Sequence, residues 1–207
     1  MKNSFLLAKL MLLGILGFGA ATAVAAADRT QIDKATFAGG CFWCMVEAFD
    51  RQPGVIEVIA GYTGGHTPNP TYEEVSAGDT GHAEAIQVFY DPAKTGYSKL
   101  LDVFWHNIDP TASDHQFCDA GPEYRAEIFY HDGEQRRLAE QSKAELELSK
   151  PFEEPIVTKI TAVSVFYPAE QDHQYYYRKN PIRYNYYHYT CGRTQRLEEL
   201  WENEFEP

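Results

Sequence analysis

The sequence predicts an α+β fold: a single two-layer domain with a mixed β-sheet flanked by helices, long loops at its functional end and a C-terminal segment wrapping the domain. Three observations carry this. Short β-branched or alternating runs are interspersed with runs of helical period. No internal repeat or Gly/Ser-rich linker divides the chain. The 207 residues less a leader leave about 180, enough for one sizeable core.

The leader is read from composition. Lys2 and Lys9 precede an apolar run over residues 10–26, which ends in Ala23, Val24, Ala25, Ala26 and Ala27. A basic start, an apolar stretch and small residues offering A-x-A sites form the pattern of a secretory signal peptide. The run is short for a membrane span and is interrupted by Gly14, Gly17 and Gly19. The expected division is therefore a signal peptide over 1–27 and a domain over 28–207. The product would be exported and periplasmic in a Gram-negative source, with no stable membrane association after cleavage. The formal charge of −12 would become −14 on loss of the two lysines. No basic stripe with interleaved aromatics marks a nucleic-acid partner.

The elements follow in order. Residues 34–38 read as a strand ending at Gly39 and Gly40. Residues 41–51 have helical character, with Val46 and Phe49 at i, i+3, and Pro53-Gly54 stops them. The β-branched run 55–60 is a strand. Residues 61–81, rich in glycine, proline and threonine, form a long loop of the kind usually functional in compact domains. Residues 83–90 alternate as a strand. Ser98 is a candidate N-cap for a helix to residue 107, with Leu101, Phe104, Trp105 and Ile108 on one face. A second long loop reaches Tyr124, and 125–131 is a strand. Asp132 can cap a polar helix over 133–150. Residues 156–167 read as a strand, 169–180 as a short helix, and 193–203 as a final helix. A Tyr-rich segment, with seven of the fourteen tyrosines, lies before and after Pro181 and is expected to pack over the domain.

Chemistry concentrates at "GGCFWCMVEAF", residues 39–49. Cys41 and Cys44 are spaced C-x-x-C, which fits a redox pair, half a metal site, or one reactive thiol with a neighbour. With the turn at Gly39-Gly40, Cys41 begins the helix, where unpaired N–H groups and the dipole favour a thiolate and lower its pKa. Zinc would need a second paired half-site; Cys118 and Cys191 stand alone, and His82 and His106 have no ligand spacing. A thioredoxin-like disulfide oxidoreductase would use Cys41 and Cys44 but leave the long loops without a role. In the strand that follows one of those loops, Glu84 is in phase with Ile86, Val88 and Tyr90. Strand alternation therefore aims it at the buried face, where desolvation raises a carboxyl's pKa.

The stretches "GGCFWC", "GYTGGHTPNPTYEEVSAGDTGHAE", "QFCDAGPEYRAEIFY", "DHQYYYRKNP" and "CGRTQRLEELW" together resemble the peptide methionine sulfoxide reductase A family over about residues 34–202. The resemblance implies that Cys41 is the nucleophile and Glu84 the acid. Tyr72 and Tyr124 would hold the sulfoxide oxygen, with Asp119 as a carboxylate near the thiol. Phe42 and Trp43 would receive the methyl group. It implies reduction of methionine S-sulfoxide, free or in oxidised proteins, through a Cys41 sulfenic acid and a disulfide. No metal or bound cofactor is implied, only an external thiol reductant, thioredoxin or similar, acting on a monomer. Two departures stand out. Cys44 occupies a position most often glycine. The second thiol, often soon after an "NP" motif, is here offset to Cys191, so the resolving candidates are Cys191, then Cys44, then Cys118.

Overall fold

The computed structural model describes residues 32–201, so the leader over 1–27 lies outside the described residues, as does the end of the last predicted helix. The chain runs as β1 (Asp33–Gly39), α1 (Phe42–Asp50), β2 (Val55–Thr63), α2 (Tyr72–Ser76), β3 (Ala83–Tyr90), α3 (Tyr97–Trp105), β4 (His115–Gln116), β5 (Asp119–Ala120) and β6 (Ala126–Tyr130). It continues as α4 (Gly133–Ser149), β7 (Lys159–Ala162), β8 (Tyr167–Pro168), α5 (Tyr176–Lys179), α6 (Pro181–Thr190) and α7 (Arg193–Trp201). Six strands form one sheet in the order β7-β6-β1-β3-β2-β8; β4 and β5 make a separate hairpin. Only the β6–β7 pairing in that sheet is parallel, so the sheet is mixed, as the sequence predicts.

One face of the sheet makes the main core. Phe37 stacks between Phe49 of α1 and Phe104 of α3, each 5.2 Å away, while Val58, Ala60, Ile86, Val88 and Ile128 complete the sheet side. The in-phase residues of β3 point here, and Glu84 with them. The opposite face carries small side chains, Ala38, Ala83 and Ala85 beside Phe129, and is covered by Val163 and Phe166. That explains the correction to the strand predicted over 156–167. The chain pairs at one sheet edge as β7, crosses the second face, and pairs at the other edge as β8. Thr63 Oγ1 donates to the Val165 carbonyl along the crossing.

Other differences are local. The α3 helix is capped by Gly96, and Ser98 lies inside it. Residues 169–175 are not helical; only α5 follows, entered through Tyr175 at φ +50°. The Tyr-rich segment after Asn180 is itself a helix, α6, because Pro181 presets its first turn. Asp132 caps α4 as expected, its Oδ1 accepting the Gln135 N–H at 2.8 Å, and α4 presents a mostly solvated face. The long loop 61–81 contains α2, fastened by a Thr71/Glu74 capping box. His82 holds the loop's return: Nδ1 accepts the Gly65 N–H at 3.1 Å and Nε2 donates to the Thr67 carbonyl at 2.7 Å.

Candidate active site

The site begins where β1 becomes α1. A Cβ at Gly39 would stand 2.7 Å from both Ile108 and Met45. Gly40 turns at φ +78°, and a Cβ there would lie 2.5 Å from Cβ of Gln116. Glycine is therefore required at Gly40 twice over, by conformation and by space. The turn delivers Cys41 to the N-cap of α1. The thiol is buried, at 6% exposure, and burial pushes its pKa well above the free value, with a Cys44 hydrogen bond and the Glu84 charge acting the same way. This corrects the expectation of an exposed, acidified Cys41. The acidified member of the pair is Cys44, lowered to about 7 chiefly by its hydrogen bond with Cys41 and also by the charge of Arg193. The two thiols thus share one readily lost proton.

Glu84 meets the helix start from below. Its Oε2 accepts the backbone N–H of Phe42 at 2.9 Å. Burial raises the carboxyl to about 8 against that hydrogen bond, so Glu84 is protonated at neutral pH. Strand phase, legible in the sequence, aims it there.

The remaining predicted residues converge. Tyr72, first residue of α2, lies 6.4 Å from the Phe42 ring and donates its N–H to Glu170 at 2.9 Å. Tyr124 ends the 3₁₀ turn Pro122–Tyr124; burial raises its pKa, and Glu84, Tyr72, Asp119 and Cys41 all act on it electrostatically. Both tyrosines are half-buried and stay protonated as hydrogen-bond donors. Asp119, on β5, accepts the Tyr187 hydroxyl at 2.5 Å, and burial raises it. Phe42 is fully buried between Tyr62 and Tyr72. Trp43 is half-buried, stacked on Tyr176 at 3.8 Å, and its indole N–H donates to His173 Nδ1 at 3.1 Å.

The cysteines divide into two pairs. Cys41 and Cys44 are free; Cys118 and Cys191 are joined in a disulfide with Cα atoms 4.9 Å apart. Cys191, ranked first as resolving thiol from sequence, is thus bonded to another cysteine. The same bond occupies both sulfurs of the Cys118, Asp119 and Cys191 group, which offers no thiolate ligand to a metal while it stands. Sequence reasoning missed three contributors. Glu170 ties Tyr72 N–H to the Tyr62 hydroxyl, the latter at 2.8 Å. Tyr187 holds Asp119. Arg193 is buried and donates to the Gly39 carbonyl at 3.0 Å. Helical spacing of Tyr184 and Tyr187 after Pro181 was the available signal for the second.

A single α+β domain with a buried dithiol beside a protonated carboxyl and two tyrosine hydroxyls defines a thiol-based oxidoreductase. Comparison with known proteins makes this specific. The sequence pattern described as peptide methionine sulfoxide reductase matches residues 33–205. A peptide methionine sulfoxide reductase MsrA of Listeria monocytogenes is 52% identical over 174 residues, covering 84% of this chain and 98% of that protein. That of Bacillus pumilus is 55% identical over 171 residues, covering 83% and 96%. Reduced Mxr1 from Saccharomyces cerevisiae superimposes with a TM-score of 0.69 at 30% identity, covering 77% of this chain and 91% of that one. The same yeast protein in complex with Trx2 matches at a TM-score of 0.50 and 22% identity, over 74% of this chain and 91% of that one, a likeness of fold alone. The chain belongs to the peptide methionine sulfoxide reductase family, and it reduces methionine sulfoxide.

Proposed function

We propose that Cys41 attacks the sulfoxide sulfur of methionine S-sulfoxide while Glu84 protonates the oxygen. The observation that carries this is the Glu84 carboxyl, kept protonated by burial and hydrogen-bonded to the N–H next to Cys41. A sulfoxide sulfur becomes electrophilic only as its oxygen gains a proton or strong hydrogen bonds, which Glu84, Tyr72 and Tyr124 supply. Cys41 passes its proton to the Cys44 thiolate with which it shares a hydrogen bond. Oxygen is then transferred to Cys41, which becomes a sulfenic acid carrying the Glu84 proton, and methionine leaves. Phe42 and Trp43 wall the methyl group, and Asp119 shapes the charge around the thiols.

Cys44 is the resolving thiol in this reading. It is the free cysteine already hydrogen-bonded to Cys41, one helical turn away. Once deprotonated, its sulfur attacks that of Cys41, the S–S bond forms, and the S–O bond breaks with release of water. A thioredoxin-like dithiol, as in the yeast Mxr1–Trx2 complex, restores both thiols. Turnover of the S and R epimers of a methionine sulfoxide derivative with dithiothreitol tests the reading. Reduction of S alone is expected, and equal rates on both epimers would overturn it.

The leader composition supports export, with cleavage after Ala25, Ala26 or Ala27, to act in the periplasm of a Gram-negative source as an enzyme repairing oxidised proteins. N-terminal sequencing of the native protein should begin near Asp28; an intact Met1 in the membrane fraction contradicts it.

A further inference from the structure

We propose that Arg193 is a positioning residue of the dithiol, a buried counter-charge at the turn that carries the pair, which supports its thiolate and so readies Cys44 to attack the Cys41 sulfenic acid. The inference rests on the reading of Cys44 as resolving thiol.

Arg193 is 4% exposed. Its Nη2 donates to the Gly39 carbonyl at 3.0 Å and its Nη1 to the Asn107 carbonyl at 2.5 Å. Its guanidinium stacks 4.3 Å over the Phe117 ring. Among the described residues it forms no ion pair with a carboxylate, although a buried cation ordinarily has one. Two carbonyl oxygens and an aromatic face orient the group without neutralising it. The charge acts on the Asp119 carboxyl and on Cys44, and a buried dithiol that has lost one proton is an anion needing a partner.

The placement is specific. Nη2 bonds the residue that opens the Gly39-Gly40 turn, and it would lie 3.4 Å from a Cβ at Gly40. Gly192 turns at φ +71° between Cys191 and Arg193, so the disulfide to Cys118 fixes the start of α7 that aims the guanidinium. The groups facing Cys44 are Cys41 on α1, Glu84 on β3, Asp119 on β5, Tyr184 and Tyr187 on α6, and Arg193 on α7. Tyr184 shares a hydrogen bond with Cys44, and the two carboxyls act against its thiolate or are neutral. Arg193 is the cation in that set. Its guanidinium stands at the Gly39-Gly40 turn from which α1 and both thiols start, and its charge favours a thiolate at Cys44.

In the step this serves, the Cys44 thiolate supplies the electron pair for the S–S bond, the Cys41 S–O bond breaks as Cys41 is reduced from the sulfenic state, and the departing hydroxide takes up the proton that Cys44 gave up and leaves as water. Arg193 transfers no proton.

The test compares Arg193→Gln and Arg193→Lys in the full chain, with Cys118–Cys191 intact so that only Cys41 and Cys44 titrate. In Arg193→Gln the thiolate absorbance midpoint should rise by about one unit or more. Formation of the Cys41–Cys44 disulfide after one equivalent of sulfoxide should slow about fivefold or more at pH 7 and recover at higher pH. Arg193→Lys, which keeps the charge, should restore most of both. An unchanged midpoint and rate in folded Arg193→Gln overturns the proposal. If Arg193→Gln does not fold, Arg193→Lys decides: it loses the paired carbonyl contacts, so a near-wild-type midpoint supports the charge and a midpoint raised by a unit overturns it. Absence of any Cys41–Cys44 disulfide in wild type would instead refute the resolving role of Cys44.

Discussion

Glu84 Oε2 and the backbone N–H of Phe42 are 2.9 Å apart, which joins β3, one of the two central strands of the sheet, to the first turn of the helix that Cys41 caps. The contact places a protonated carboxyl at the level of the thiol, and most of the expected behaviour follows from that coupling.

Cys41→Ser should abolish sulfoxide reduction while leaving the fold intact. The sulfur is both nucleophile and electron source, and serine is nearly isosteric in a site of 6% exposure. Methionine release in a single-turnover assay, with circular dichroism as the control for folding, checks this. More than trace activity in a folded variant rules the role out.

Glu84→Gln should bind substrate but slow the reductase step roughly 10²–10⁴-fold, the range for loss of a general acid. With Glu84 near pH 8, the wild-type step should fall as pH rises past about 8, and the variant should lack that limb. The same group affects stability with a definite sign. Its folded pKa is raised above the unfolded value of 4.5, so its contribution is intact below 4.5 and is lost as pH rises through about 8. Glu84→Gln should therefore gain on wild type in denaturant midpoint between pH 5 and 8. A constant gap across that range would argue against a buried neutral acid.

Cys44→Ser should complete one turnover and then stop, with Cys41 held as sulfenic acid. Cys191→Ser should still form the Cys41–Cys44 disulfide. Peptide mapping after a stoichiometric dose of sulfoxide distinguishes them, and a Cys41–Cys191 bond in wild type would reverse the assignment. Breaking Cys118–Cys191, which closes a loop across a separation of 73 residues, should cost roughly 2–4 kcal/mol by melting under reducing and non-reducing conditions.

Gly40→Ala should be strongly destabilising. A Cβ would meet Gln116 at 2.5 Å while the residue is held at φ +78°, so strain and overpacking of about 1–3 kcal/mol each combine. Chemical denaturation measures the loss, which should exceed that of Gly96→Ala, where a Cβ has nothing within 4 Å.

How much of this was legible beforehand depended on the range of the forces involved. Strand phase alone aimed Glu84 inward, because residues two apart share a face. The glycine pair alone set Cys41 at a helix start. The capping of α4 by Asp132 was equally local. The strand predicted over 156–167 failed because its middle crosses a sheet face instead of pairing, a choice made by Val163 and Phe166 finding small residues beneath them.

The sequence by itself determined the fold class, the cysteine of the turn and the carboxyl beside it, since each follows from periodicity or turn chemistry within a few residues. The tertiary structure decided what no local pattern contains. It bonded Cys118 to Cys191 across 73 residues, buried Cys41 so that desolvation outweighs the helix dipole, and brought Arg193 back to the Gly39 carbonyl. Electrostatics and disulfides act through space, and the distances that set them exist only once the chain has closed.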